Sequence, residues 1–330
     1  MKEPAPIDRL TALLADDLAQ VDGHIKDMAA SDIALIPKLI TYIFTAGGKR
    51  IRPLLTLAFA ACTGTRNPRG HHIELAAAVE AIHTATLLHD DVIDESPSRR
   101  GRTSAHMIFG NQVSVLVGDY FFARAFQMMV RSDDIRILEV LSGTAAIISA
   151  GEVTQMIHSG DAALTQERYL EVIRSKTAVL FESACAVGAM VTDAPQASCE
   201  AAGIFGMNIG MAFQLTDDAL DYDSDVQTLG KPTGHDLLSG KPTLPLILAY
   251  QNGTATEKAF WQKALGKGNR RDLPRAQELI VKYEGLEHTR ALAQEYSQKA
   301  IESLPLIKTS RPEVIDLLAD LARQISDRRA

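Results

Sequence analysis

Apolar residues recur three and four places apart through most of this chain, as at Leu75, Val79, Ile82 and Ile93, while sustained period-two alternation is hard to find. Spacing of three and four brings side chains to one face of a helix, whereas a strand repeats every two. The pattern predicts an all-α fold. Helices are expected over roughly 7–28, 33–46, 51–63, 72–94, 111–130, 133–158, 165–190, 197–222, 241–252, 273–304 and 311–328. Only the stretch 253–272 reads as markedly polar, and no helix is assigned there.

Gly, Pro and Ser cluster at 64–70, 96–104, 191–196 and 230–242, but each cluster is too short to be a linker, so residues 1–330 are expected to form a single domain. With 330 residues and 46% hydrophobic content there is material for a large core. A net charge of −7 excludes a broad nucleic-acid footprint, which needs a basic face. The start, MKEPAPIDRL, places no apolar run behind basic residues, and no stretch of 18 apolar residues follows. The expectation is a cytoplasmic protein without a transmembrane segment. Cys62, Cys185 and Cys199 are odd in number, form no C-x-x-C pair and sit in alanine-rich helical stretches, as buried reduced thiols do.

One feature recurs at a distance. Asp90-Asp91-Val92-Ile93-Asp94 and Asp217-Asp218-Ala219-Leu220-Asp221 both read D-D-x-x-D, and each closes a long apolar helical segment. Residues i and i+4 share a helix face, so Asp90 projects with Asp94, and Asp217 with Asp221. Like charges at that spacing weaken a helix unless something offsets them. Mg²⁺ does so: it takes oxygen ligands and binds through one or two carboxylates plus substrate phosphates. A single such motif reads equally well as a solvated helix end, but a duplicate does not.

Two acidic metal clusters imply a polyphosphate ligand, and the cations to meet it stand in short turns. Lys49 and Arg52 follow the glycine turn Gly47-Gly48 and flank the N-terminal approach of a helix, where anions bind favourably, though such a turn is also an ordinary solvated loop. Arg99 and Arg100 follow the first motif; forked Arg contacts suit diphosphate oxygens, and a solvated basic loop is the plain alternative. His83 lies two turns before Asp90 on nearly the same face, a position a core histidine also fills. Lys176, beside Thr177 in an apolar helical stretch, is either snorkelling or functional. Gln214 precedes Asp217 by three residues. Lys231 and Lys241 lie in two G-K-P-T turns that lack the strand and remaining residues of a phosphate-binding nucleotide loop.

Taken in order, GGKRIRP, ELAAAVEAIHTATLLHDDVIDES, RRGRTSAH, LVGDYFFARAF, RSKTAVLFESA, FQLTDDALDY and GKPTGHDLLSGKPTLPL resemble the trans-polyprenyl diphosphate synthase family from about Gly47 to Pro245. The resemblance implies an orthogonal helical bundle around a deep central cavity, a homodimer, and a transferase acting on isopentenyl diphosphate and an allylic partner such as farnesyl or geranyl diphosphate. It implies Mg²⁺ on Asp90, Asp94, Asp217 and Asp221, with Asp91 and Asp218 completing the motifs behind them. It places Lys49, Arg52, His83 and Arg100 at isopentenyl diphosphate. Arg99, Lys176, Thr177, Gln214, Lys231 and Lys241 fall to the allylic side, with Thr177 and Gln214 steadying a carbocation.

In short-chain members of the family a bulky aromatic four or five places before the first aspartate blocks product growth; here those places hold Thr86 and Ala85. Each open helical turn of roughly 5.4 Å admits about one more isoprene unit. The likeness is greatest to bacterial octaprenyl, solanesyl and decaprenyl synthases, which supply quinone side chains such as that of ubiquinone. Phe126 or Met129 on another helix is the alternative limit, giving a shorter chain. A cyclase of the same fold normally lacks the second D-D-x-x-D, and a non-catalytic partner subunit usually loses an aspartate that this chain keeps. The basic end Asp327-Arg328-Arg329-Ala330 receives no role.

Overall fold

A computed structural model of the chain describes residues 4–45, 47–64, 70–99, 101–223, 233–267 and 269–328. The fold is all-α. In chain order the helices are Pro6–Leu13 (α1), Ala15–Met28 (α2), Leu35–Thr45 (α3), Ile51–Thr63 (α4), His71–Ile93 (α5), Ala105–Phe109 (α6), Asn111–Arg131 (α7), Ile135–His158 (α8) and Gln166–Ile173 (α9). A π-helical turn, Arg174–Ala178, leads into Val179–Met190 (α10), followed by Gln196–Tyr222 (α11), His235–Leu238 (α12) and Leu244–Asn252 (α13). Ala255–Lys267 (α14), Leu273–Lys282 (α15), Gly285–Ser303 (α16) and Pro312–Ser326 (α17) complete the set. Among the described residues the only strands are Ser98–Arg99 and Arg102–Thr103, an antiparallel pair turned by Gly101 at φ 73°.

The chain forms two compact units. One comprises Met1–Ala145, Ser183–Gly203 and Pro305–Leu317, the other Ala146–Glu182, Ile204–Leu304 and Leu318–Ala330. In the first, α5 packs against α2, α4 and α7 and is buried nearly all round. Its run of small residues explains how: Ala76, Ala77, Ala78, Ala81 and Ala85 are all fully buried, and small side chains let helices approach closely. Gly118 on α7 faces His89 on α5 so closely that a Cβ there would displace the imidazole. Arg50, at φ 45°, starts α4, pairs with Asp22 and stacks its guanidinium 5.4 Å from the Phe44 ring, which holds the Gly47-Gly48 turn in place.

The second unit corrects two readings of the sequence. Residues 253–272 are not a loop: α14 buries Trp261, Ala264 and Leu265 against Leu246, Leu279 and Ile280. It starts at a capping box, in which Thr254 N and Oγ1 donate to Glu257 Oε2 while the Glu257 N–H reaches Thr254 Oγ1. Average polarity concealed a helix with one narrow apolar face. The predicted helix 273–304 is two helices, because Glu284 turns into the left-handed region at φ 55°. A second apolar cluster gathers Leu164, Tyr169, Ile173, Met211, Leu215, Leu244 and Ile247. The three cysteines are buried and free, as their setting predicted. Helices α7 and α8 are long and apolar enough, by length and composition alone, to cross a membrane.

Candidate active site

In the first unit, Asp90 and Asp91 lie in the last turn of α5, and Asp94 caps it with its N–H on the Asp90 carbonyl. Asp91 is 4% exposed, and Arg99 Nε donates to its Oδ1 at 2.7 Å. The chain turns back just past α5, where Glu95 takes φ 47° and the Ser96 N–H donates to the Asp91 carbonyl, and Arg99 returns to the helix it has just left. Burial pushes the Asp91 carboxyl up from its ordinary value, and Arg99 works against that shift. Arg52 Nη1 and His83 Nε2 are 3.2 Å apart, so two of the predicted phosphate-binding residues do come together. Lys49 is exposed on its turn. Arg100 and Lys231 lie outside the described residues.

In the second unit the π-turn carries Lys176 and Thr177. A π-turn inserts one residue into a helix, a feature frequent at functional sites. Lys176 is no idle snorkeller: its Nζ donates to Glu152 Oε2 at 2.6 Å and Gln155 Oε1 at 2.7 Å. Thr177 Oγ1 donates to Gln214 Oε1 at 3.0 Å, and Gln214 Nε2 donates to Asp218 Oδ1 at 2.7 Å. Tyr169 OH donates to the other oxygen, Asp218 Oδ2, at 2.5 Å. Asp221 accepts the N–H groups of His235 and Asp236, at 3.1 and 2.9 Å, at the start of α12. Arg328 Nη1 donates to Asp217 Oδ1 at 3.1 Å, so the basic end reaches the second motif.

Burial raises three carboxyls here. Asp218 is pushed up to about 7, opposed by its bonds from Tyr169 and Gln214. Asp221 is raised by burial and held back by the backbone N–H groups of Asp236 and His235. Asp236 is raised well above its ordinary value, first by burial and then by the charges of Asp221 and Asp218, with Lys241 working against them. Sequence reasoning missed Asp236, Tyr169, Glu152 and Gln155. A polar pair three residues apart in the otherwise apolar α8 was the available signal for Glu152 and Gln155; nothing local marks Tyr169.

A sequence model described as Polyprenyl synthetase matches residues 33–280. The chain belongs to the polyprenyl synthetase family. The octaprenyl diphosphate synthase of Escherichia coli is 41% identical over 96% of this chain and 98% of its own length. A polyprenyl synthase from Caulobacter crescentus, solved with calcium and isoprenyl diphosphate, superposes with a TM-score of 0.92 at 44% identity, covering 100% of both chains. A decaprenyl diphosphate synthase from Rhodobacter capsulatus superposes at 0.93 with 42% identity, covering 98% of this chain and 100% of its own. As a polyprenyl synthetase, the protein is a prenyltransferase.

The donors at both motifs of this polyprenyl synthetase are carboxylate oxygens, the chemistry a hard divalent cation takes. Among the described residues, no group of three or more His, Cys, Asp or Glu side chains converges on one metal-sized point. Two carboxylates on one helix face at each motif fit a hard divalent cation that completes its shell with water and substrate phosphate. One turn before Asp90, Ala85 is fully buried, and Thr86 is half-buried with its hydroxyl donating to the His83 carbonyl at 2.8 Å. Met129 is 1% exposed, whereas Phe126 is 39% exposed on α7.

Proposed function

We propose that the protein is a cytoplasmic, Mg²⁺-dependent, long-chain all-trans polyprenyl diphosphate synthase. It adds isopentenyl diphosphate head-to-tail to farnesyl or geranyl diphosphate, and its octaprenyl to decaprenyl products serve quinone side chains such as that of ubiquinone. The observation that carries the reading is the shared build of the two motifs. In each, the middle carboxylate is buried and tied, Asp91 by Arg99 and Asp218 by Tyr169 and Gln214. The metal role is assigned to the outer aspartates Asp90, Asp94, Asp217 and Asp221, which stand at i and i+4 in each motif. Mg²⁺ bound there supplies Lewis-acid stabilisation of the departing diphosphate.

The chain's own groups do the rest. Lys176, Arg99, Lys231 and Lys241 hold the allylic diphosphate; Glu152 and Gln155 aim the Lys176 ammonium. Lys49, Arg52, His83 and Arg100 hold isopentenyl diphosphate, with Arg52 and His83 steadying one another. Once the allylic carbon–oxygen bond breaks, the oxygen dipoles of Thr177 and Gln214 face the cation. The isopentenyl double bond attacks it, and the released diphosphate takes the proton. Apolar walls keep out the water that would otherwise capture the cation.

Product length is set by the small, buried wall at Ala85 and Thr86. Residues 1–330 act as one catalytic domain, and two copies pair through α7. That helix buries Val117, Phe121, Ala125 and Met128 on one side and leaves Leu116 and Val130 66% and 63% exposed, with Val115 and Phe126, on the other. An exposed apolar stripe of this kind marks an interaction face rather than solvated surface. The same stripe, with the charges of Asp119 and Arg124 on the helix, speaks for a second copy over a membrane span.

The test is incubation of purified protein with farnesyl diphosphate, labelled isopentenyl diphosphate and Mg²⁺, followed by chromatography of the dephosphorylated products. Polyprenols of eight to ten units that vanish with EDTA are expected. Products of three or four units would overturn the length assignment, and no product would overturn the catalytic one.

A further inference from the structure

Three hydrogen bonds in the second unit converge on Asp218: Thr177 donates to Gln214, Gln214 donates to Asp218, and Tyr169 donates to Asp218 from the other side. Gln214 and Asp218 stand one turn apart on α11, Tyr169 lies on α9 and Thr177 on the π-turn that follows. Tyr169 is 3% exposed and packs in the cluster of Leu164, Ile173, Leu215 and Ile247; its hydroxyl donates to Asp218, with the Leu244 backbone and the Asp236 carboxyl also acting on it. Asp218, 4% exposed, has one oxygen taken by Tyr169 and the other by Gln214.

The direction of these bonds carries chemical information. A glutamine amide has a donating end and an accepting end. In its ionised form Asp218 accepts only, so it holds the NH₂ end and turns the amide oxygen toward Thr177. The threonine hydroxyl has a single proton, and that proton is committed to Gln214. What Thr177 can present elsewhere is its oxygen lone pair, the end that suits a developing positive charge. If the amide flips, its NH₂ faces Thr177, the hydroxyl proton is released, and the positive end of the O–H dipole is free to point at the reacting carbon.

We propose that Tyr169 is a positioning residue for prenyl transfer. By holding one oxygen of Asp218 it leaves the other fixed on Gln214, and this sets the sense in which Thr177 presents its oxygen. The inference rests on the reading of Thr177 and Gln214 at the allylic substrate. Tyr169 acts through them and touches no substrate. Its removal therefore lowers turnover without weakening the hold on either diphosphate.

A double-mutant cycle on the Mg²⁺-loaded enzyme, with farnesyl and isopentenyl diphosphates, tests this. Tyr169→Phe is expected to lower kcat about tenfold while KM for both substrates stays within about twofold. In a Thr177→Ala background the same change is expected to lower kcat by less than about twofold, because the group it orients is gone. Fluorotyrosines at position 169 keep ring and hydroxyl and cover the case in which the phenylalanine variant does not fold; kcat is expected to follow the donor strength of the phenol. A Tyr169→Phe enzyme with undiminished kcat, a full multiplicative loss in the Thr177→Ala background, or a kcat indifferent to fluorination would overturn the inference. Full turnover in Thr177→Ala alone would overturn the reading of Thr177 and the inference with it, whereas impaired Thr177→Ala beside normal Tyr169→Phe would sink the inference only.

Discussion

The two D-D-x-x-D motifs are alike in sequence and differ in how their middle aspartate is held. Asp91 is tied by a cation, Arg99, only eight residues away. Asp218 is tied by two neutral donors, Gln214 on its own helix and Tyr169 from α9. A guanidinium offsets the buried charge of Asp91; a phenol and an amide leave that of Asp218 in place, and neighbouring Asp217 and Asp221 add to it. Identical sequence motifs thus become a charge-compensated site and a charge-loaded one, and the second has more to gain from a bound cation.

The largest effect expected is on turnover. Asp90→Ala or Asp217→Ala is predicted to lower kcat roughly 10²- to 10³-fold, the loss typical of removing one preorganised stabiliser of a leaving charge, with the fold intact by circular dichroism. A variant of either that keeps normal turnover breaks the pairing of the motifs. Next, Arg99→Leu is predicted to destabilise the protein by about 1–3 kcal/mol in denaturant titration, since it leaves the Asp91 carboxylate buried and unpaired. An unchanged midpoint would mean that Arg99 does not hold the first motif.

The charge-loaded motif makes a prediction about pH. Asp218, Asp221 and Asp236 have folded-state pKa values raised above the unfolded value, so between the two the native state binds more protons. Their contribution to stability is complete below the unfolded value and lost as pH rises through the folded one, about 7 for Asp218. In metal-free protein, Tm should therefore fall between about pH 4 and 7, and Asp236→Asn should flatten the fall. Equal slopes in the two proteins would refute the charge loading. The smallest effect on rate is expected from Ala85→Phe, which leaves both motifs whole: kcat within about tenfold, with products shortened by one or more units on chromatography. Unchanged products would remove Ala85 from the wall that sets length.

Most of the helices were legible because a buried face imposes a period of three to four, and both motifs were legible because i and i+4 share a face. The helix Ala255–Lys267 was not, since three apolar residues carry its buried face and the Thr254–Glu257 box was overlooked. The break at Glu284 escaped because no glycine or proline announces it until Gly285 itself. Within the site, the residue types stood out while their partners did not. Tyr169 and Asp218 are 49 residues apart, and Arg328 and Asp217 are 111 apart. Such bonds are written by tertiary packing and leave no local pattern to read.

The central claim is that the outer aspartates of both motifs bind divalent metal while the middle ones are held in place. Counting Mn²⁺ bound in the presence of an unreactive allylic diphosphate analogue, by electron paramagnetic resonance, tests it most directly. The account predicts that Asp90→Ala and Asp217→Ala each lose bound metal while Tyr169→Phe keeps the full complement. An undiminished count in both aspartate variants would contradict it.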